Sequence, residues 1–394
     1  MKVLVANLGS TSFKYRLFDM ANERVLARGG VERIGSAESR CFVETLGQRH
    51  EATLPAKDHA VAVRLCLEQL AEHGCLASPD ELSAIGFKAV HARGTTGVQR
   101  VDERVLSAME AYADVAPAHN PPYIAAMRLL AKQLPHIPLV AAFETGFHQT
   151  IAPAQRLYAV PLEWAERYGI QRWGFHGASH AYIAQRTAEL LKSPRARIIS
   201  CHLGGSSSLC AIRDGQSQAN SLGMSPQSGL PHNNRVGDFD PFALPVLLRE
   251  TGKSLEQVLD DLAERSGLLG LSGAGNDLRD IESAAARGDA RAQLAMDVFT
   301  AGVRHYLGAY LVLLGGADAV VFTGGIGENS VAMREAICAN LETFGIVLDP
   351  QANRTARGEA RIDAASSRVQ LWIMPTNEEL IVARHVVASC QLAD

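Results

Sequence analysis

Apolar residues in this chain run in short strings that stop at glycine and hydroxyl residues, with longer helical stripes between them. Val3 to Asp19, VLVANLGSTSFKYRLFD, reads as a strand, a turn through Gly9 and Ser10-Thr11-Ser12, and a returning strand. Ile198 to Gly215, IISCHLGGSSSLCAIRDG, has the same order, with its turn at Gly204-Gly205-Ser206-Ser207-Ser208. Asn7-Leu8-Gly9 matches His202-Leu203-Gly204, and the hydroxyl clusters match after one extra residue. A recurrence half a chain apart predicts a duplicated domain. Glycine lets a backbone come close to a ligand, and N–H and hydroxyl groups at such a turn suit phosphate oxygens. One such hairpin is equally an ordinary turn; two of them predict a cleft that holds a phosphate chain.

The remaining pattern alternates strands and helices. Val25 to Ala52 alternates polar and apolar residues, as strands do. Asp58 to His73 is a helix whose apolar face carries Val63, Cys66, Leu67 and Leu70. Ala84 to His91 is a strand that runs into the polar loop 93–97. The segment 116–122, APAHNPP, is a rigid turn that starts a helix over Tyr123 to Gln133. Leu139 to Phe143 is a strand ending at Glu144-Thr145. GFHGASH (174–180) opens a helix to Leu191, and 221–240 is a long polar loop of the kind that carries function. Helices fill Phe242 to Gly315 with one break at 269–277. Ala319 to Gly327 is a strand meeting a glycine turn, suited to nucleotide phosphate or ribose. Val369 to Met374 is the last strand, and PTNEE (375–379) caps the final helix. The expected fold class is α/β, duplicated, with helices on both faces of each sheet. The boundaries expected are 1–146 joined by 380–394, and 147–379.

Composition narrows the field. The 394 residues suffice for two domains, and 47% apolar with 20% charged residues is ordinary for a globular chain. A net charge of −4 with no basic run argues against nucleic acid. Seven cysteines without CxxC spacing argue for reduced thiols, a cytoplasmic location and no zinc site. The most apolar long segment, 292–314, contains Asp297, Arg304 and His305, so it predicts a buried helix and not a membrane span.

Seven blocks carry a resemblance: NLGSTSFKY (7–15), APAHNPP (116–122), GFHGASH (174–180), HLGGSSSL (202–209), NRVGDFDP (234–241), TGGIGENS (323–330) and PTNEE (375–379). Together and in order, they resemble the acetokinase family of the sugar kinase/Hsp70/actin superfamily. The resemblance implies a ribonuclease H-like fold with an interdomain cleft, ATP and ADP as co-substrates, and Mg²⁺ or Mn²⁺. It also implies a homodimer that transfers a phosphoryl group to a short carboxylate.

A carboxylate acceptor is already an anion, so the chemistry calls chiefly for positive charge at the transferring group. Arg235 offers a planar fork for carboxylate or phosphoryl oxygens; read alone, it is equally a loop arginine paired to Asp238 or Asp240. The resemblance makes Arg235 and His176 catalytic, with His119, Lys88 and Glu144 beside them. It assigns Asn7 and Glu378 to the metal, although a first-turn carboxylate such as Glu378 also suits the helix dipole. For the nucleotide it implies Lys14, His202, Gly204, Gly205, Asp277, Leu278, Arg279, Gly325, Ile326, Gly327 and Asn329, with Ser10 and Ser12 supporting the phosphate end.

Three positions depart from the family pattern. Lys88 stands where the family has arginine, Glu144 where it has aspartate, and Gly205 where it has asparagine after HLG. Lysine for a bidentate arginine is not conservative. The Lys88 and Glu144 pair is expected either to have adapted jointly, or to leave Arg93, where the family usually has glycine, to supply the missing fork. The acyl pocket implied by the resemblance comprises Val90, Ala118, Phe175 and Pro226. Ala118 replaces a larger aliphatic residue, which leaves acetate and propionate both as candidates. Two other readings compete: a non-catalytic or altered nucleotide-binding homologue, and a kinase of the same fold acting on an alcohol, with Glu144 as base.

Overall fold

The computed structural model describes residues 1–9, 11–117 and 119–392. The chain divides into two compact units, Met1–Gln149 with Asn377–Asp394, and Thr150–Thr376.

Unit one holds strands β1 (Lys2–Gly9), β2 (Ser12–Asp19), β3 (Arg24–Glu32), β4 (Ser39–Thr45), β5 (Gln48–Leu54), β6 (Leu82–Ala89), β7 (Val98–Arg100) and β8 (Leu139–Phe143). They form one sheet in the order β5-β4-β3-β2-β1-β6-β8-β7. Unit two holds β9 (Arg197–His202), β10 (Ser208–Arg213), β11 (Gln216–Asn220), β12 (Ala319–Thr323), β13 (Ala360–Arg361) and β14 (Gln370–Ile373). Their order is β11-β10-β9-β12-β14-β13. Read from the third strand of each unit, the two orders coincide. In both, an antiparallel three-strand meander leads into parallel pairs (β1 with β6 and β6 with β8; β9 with β12 and β12 with β14) and ends on a short antiparallel edge. This is the duplication that the two hairpins foreshadow.

The parallel strands are apolar because both their faces are covered; every residue of β8 and of β12 is buried. In unit one, Ile85 and Phe87 point into the core with the helices His59–Glu72 and Asn120–Gln133. Gly86 points to the other face, toward the helix Glu378–Gln391. In unit two, the helix Ala290–Leu314 buries Ala292, Ala295, Phe299, Val303 and Leu307 as one stripe against Ile199, Cys201 and Phe322. Asp289 caps its start and Gly315, at φ 68°, ends it. Among the described residues no helix is long and apolar enough to cross a membrane.

Local expectations shift at a few places. The helix expected from Tyr123 begins at Asn120, so Pro121 and Pro122 lie in its first turn, where a missing N–H costs nothing. Asn120 is fully buried, and its amide donates to the carbonyls of His91 (2.9 Å) and Met109 (2.8 Å). The single break expected within 242–315 is several. Helices Leu244–Thr251, Leu255–Glu264, Gly267–Ser272, Leu278–Ala286 and Ala290–Leu314 succeed one another, with Gly252 and Gly273 in left-handed conformation at two of the stops. The edge strands β7 and β13 are too short to leave a pattern.

Gly86 has a measurable role. A Cβ there would lie 2.6 Å from Val386 Cγ2 and 3.1 Å from Val382 Cγ1, and valine in a helix has little rotamer freedom. Gly86→Ala is expected to destabilise the protein by roughly 1–3 kcal/mol through overpacking, read as a lower urea midpoint. Adding Val386→Ala should restore most of the loss; an unchanged midpoint in the single variant would show that the helix docks loosely.

Candidate active site

In unit one the site grows from the docking at Gly86. Lys88 lies two residues on, so its side chain points to the same face as Gly86 and meets the first turn of the docked helix. Lys88 Nζ donates to Glu378 Oε2 at 2.5 Å. Glu144, the first residue beyond β8, reaches the same ammonium at 3.9 Å, placed there by the parallel register Ala89–Phe143. Burial works against the Lys88 charge, but the Glu378 and Glu144 carboxylates outweigh it and hold its pKa above the ordinary lysine range. The Lys88–Glu144 pair expected from the sequence is present, but Glu378 is the tighter partner. Beside them, the Tyr123 hydroxyl donates to Asn7 Oδ1 (3.2 Å) and accepts from the Leu8 N–H (3.1 Å). Burial raises this phenol to about 12, which keeps it neutral. His119 precedes the helix Asn120–Gln133 without capping it through its side chain. Val90 is buried just past β6. Lys14, on β2, is half exposed and lies 3.8 Å from Glu32. Ala118 and Ser10 lie outside the described residues.

In unit two, three histidines are tied together by three serines. His176 adopts a left-handed conformation (φ 57°) at the start of the helix Gly177–Leu191, a conformation costly for a residue with a side chain. Its Nδ1 lies 2.7 Å from Ser208 Oγ, and the same hydroxyl lies 2.9 Å from His180 Nε2. One hydroxyl carries one proton, so Ser208 donates to one ring only and couples the protonation of both. His180 Nδ1 meets Ser200 Oγ at 2.9 Å, and His202 stacks on His176 at 4.2 Å while its Nδ1 meets Ser179 Oγ at 2.8 Å. Phe175, buried beside His176, exchanges long hydrogen bonds with the Asn220 amide.

The loop 221–240 is closed on itself. Asp238 accepts from the Gly229 N–H (2.9 Å) and from the Tyr306 hydroxyl (2.6 Å). Gly237, at φ 80°, lies where a Cβ would strike the Leu230 and Gly229 carbonyls at 2.7 Å. Arg235 forms no ion pair with Asp238 or Asp240 among the described residues; its Nη1 donates to the Pro226 carbonyl at 2.8 Å. Burial lowers the guanidinium to about 10, still cationic at neutral pH. Sequence reasoning passed over His232, three residues earlier. It is fully buried, accepts from the Ser207 N–H at Nδ1 (3.0 Å) and donates from Nε2 to the Ser228 carbonyl (3.1 Å). It thereby locks the glycine-serine turn to the arginine loop. Burial, then the nearby Arg235, push its pKa down to about 3.

A cavity of about 620 Å³ opens at this turn. Of the residues predicted for the nucleotide, Gly204, Gly205, Asp277, Leu278, Arg279, Gly325, Ile326 and Asn329 line it. So do Asn233, Glu282 and Ser330, which were not predicted. Their only sequence signal is proximity to predicted residues. Asp277 caps the helix Leu278–Ala286 by accepting from the Arg279 N–H, and the hydrogen bond that the Arg279 guanidinium donates to it lowers the aspartate to about 2. Gly327 lies behind the wall, donating its N–H to the Leu203 carbonyl at 3.1 Å. Among the described residues no cluster of three or more histidine, cysteine or acidic side chains is arranged to hold a metal.

The profile of the acetokinase family matches residues 2–384. The chain belongs to the acetokinase family. Its similarity to an acetate kinase of Shouchella clausii (strain KSM-K16) is 43% identity over 390 residues, 98% of each chain. Among solved structures, an acetate kinase of Porphyromonas gingivalis superposes with a TM-score of 0.89 at 36% identity, covering 98% of this chain and 99% of that one. A propionate kinase of Francisella tularensis gives 0.91 at 31% identity, covering 98% of each. The α/β fold of this acetokinase-family chain is therefore that of acetate and propionate kinases.

His232 gives this site a pH signature. Its pKa is lower folded, about 3, than unfolded, about 6.5. Between those values the unfolded chain binds the extra proton, so this histidine's contribution to stability falls as pH drops, by up to about 1.4 kcal/mol per pH unit. His232→Gln should flatten the loss of urea stability between pH 6.5 and 4; an unchanged slope would show that the imidazole is not held neutral.

Proposed function

We propose that the chain transfers the γ-phosphoryl group of ATP directly and reversibly to the carboxylate of acetate or propionate, giving an acyl phosphate and ADP. As a member of the acetokinase family it is a phosphotransferase with a carboxyl acceptor. The carrying observation is the cavity at the Gly204-Gly205 turn, lined by eight residues expected for ATP, with the partly buried Arg235 on the loop that closes against that turn. The loop holds this guanidinium by the Pro226 carbonyl, with no carboxylate paired to it among the described residues, so its charge is available to an anion. In this reading Arg235 grips phosphoryl and carboxylate oxygens, and His176, fixed through Ser208, donates to the transferring group. The attacking oxygen is already ionised, so Glu144 is not needed as a base, and its place at Lys88 fits a charge-balancing role. Val90, Ala118, Phe175 and Pro226 are the proposed acyl contacts.

Mg²⁺ is the metal of this reading. Asn7 and Glu378 fit it as oxygen donors, one neutral and one acidic, the number such an ion takes from a protein while it keeps phosphate and water oxygens. Tyr123 orients the Asn7 amide, and Lys88 holds one Glu378 oxygen. When bound, the ion would neutralise charge on the nucleotide phosphates. A homodimer and a cytoplasmic location belong to the same reading.

Arg235→Ala tests it. Trapping the acyl phosphate with hydroxylamine, in the presence of ATP and Mg²⁺, should give hydroxamate from acetate or propionate in step with ADP. The variant should lose roughly 10³-fold in turnover, the scale of a lost arginine on a phosphoryl transition state, with its circular dichroism unchanged. ADP release without hydroxamate, or more than a tenth of the turnover in the variant, would contradict the proposal.

A further inference from the structure

We propose that Asn233 binds the nucleotide's phosphates, its side-chain amide donating to an anionic oxygen above Gly205; this rests on reading the cavity as the nucleotide site. The main chain of Asn233 is held on both sides. Its N–H donates to the Gly205 carbonyl (3.1 Å) and its carbonyl accepts from the Leu269 N–H (2.8 Å). The neighbours are fixed too: the His232 N–H meets the Arg235 carbonyl, and the Asn234 carbonyl accepts from the Ser266 N–H, each at 3.0 Å.

The side chain, by contrast, is uncommitted. Its amide makes no hydrogen bond to the described residues, and Oδ1 is buried without a partner. The unbonded Nδ2 has two N–H groups to offer an acceptor in the cavity. A Cβ built on Gly205 would lie 3.4 Å from Asn233 Nδ2 and 3.8 Å from its Cγ, so the amide stands over the bare glycine. Both residues line the cavity. An amide positioned by its own backbone and by nothing else is preorganised for a ligand.

Phosphate is the ligand chemistry that fits this end. Arg235, two residues on, supplies the cation of the same loop, and the glycine turn removes side chains that would keep a phosphate away. Among the other lining residues, Leu278, Arg279 and Ile326 have the apolar and planar surfaces suited to base and ribose.

Calorimetric titration of the full-length protein with ADP and with adenosine separates the possibilities. Asn233→Ala should weaken ADP at least tenfold and leave adenosine within twofold. The near-isosteric Asn233→Asp, which keeps the packing but repels phosphate, should weaken ADP further and again spare adenosine. Unchanged ADP affinity in both variants overturns the proposal, as does an equal loss for adenosine. Ile326→Trp, which fills the cavity, checks the underlying reading: if ADP still binds that variant with wild-type affinity, the nucleotide sits elsewhere and the cavity assignment itself falls.

Discussion

A lysine ammonium held between two carboxylates is the interaction on which unit one turns. Charges this far from water are expensive unless partnered. The fold provides the partners by geometry: a strand with no side chain at Gly86 lets a helix approach, and the same approach brings Glu378 to Lys88. The parallel neighbour β8 ends one residue before Glu144 and delivers the second carboxylate. Packing and electrostatics are therefore one constraint here. The helix Glu378–Gln391 is tied to the first sheet by an ion pair in its first turn and by Val382 and Val386 on the two turns that follow.

Unit two solves a different problem, the holding of a cation, Arg235, that pairs with no acid among the described residues. Arg235 keeps its charge because its loop is rigid without it. Asp238, Tyr306, Gly237 and the neutral His232 close the loop, and the guanidinium rests on a backbone carbonyl. An aspartate beside it would have stabilised the charge and removed its use. The histidine–serine network adds to this, since each ring among His176, His180 and His202 is held by a serine hydroxyl.

Much of this was legible in the residues. The two strand–turn–strand hairpins gave away the duplication, because the same turn chemistry recurs at Gly9 and Gly204. The buried parallel strands were visible as unbroken apolar strings. The cavity wall was reached through the glycine turns and, for Asp277, Leu278 and Arg279, only through the family resemblance. What was hidden depends on sequence-distant contact. Nothing around Lys88 announces Glu378, 290 residues away, as its closer partner. His232 and Asn233 look like ordinary loop residues until the backbone folds them against Ser207 and Gly205. The short edge strands and the succession of helices over 244–314 escaped because their signals are single glycines and caps.

Lys88 joins structure to chemistry in unit one, and a double-mutant cycle addresses that directly. A guanidinium at position 88 is larger than the ammonium it replaces and would crowd both carboxylates; an aspartate at 144 withdraws one of them by a methylene. Steady-state kinetics with acetate and ATP should show kcat/KM falling severalfold in Lys88→Arg and in Glu144→Asp, and recovering in the double variant, a coupling of at least about 0.5 kcal/mol. Strictly additive losses would contradict the account, because they would mean that Lys88 and Glu144 do not act as one charged unit.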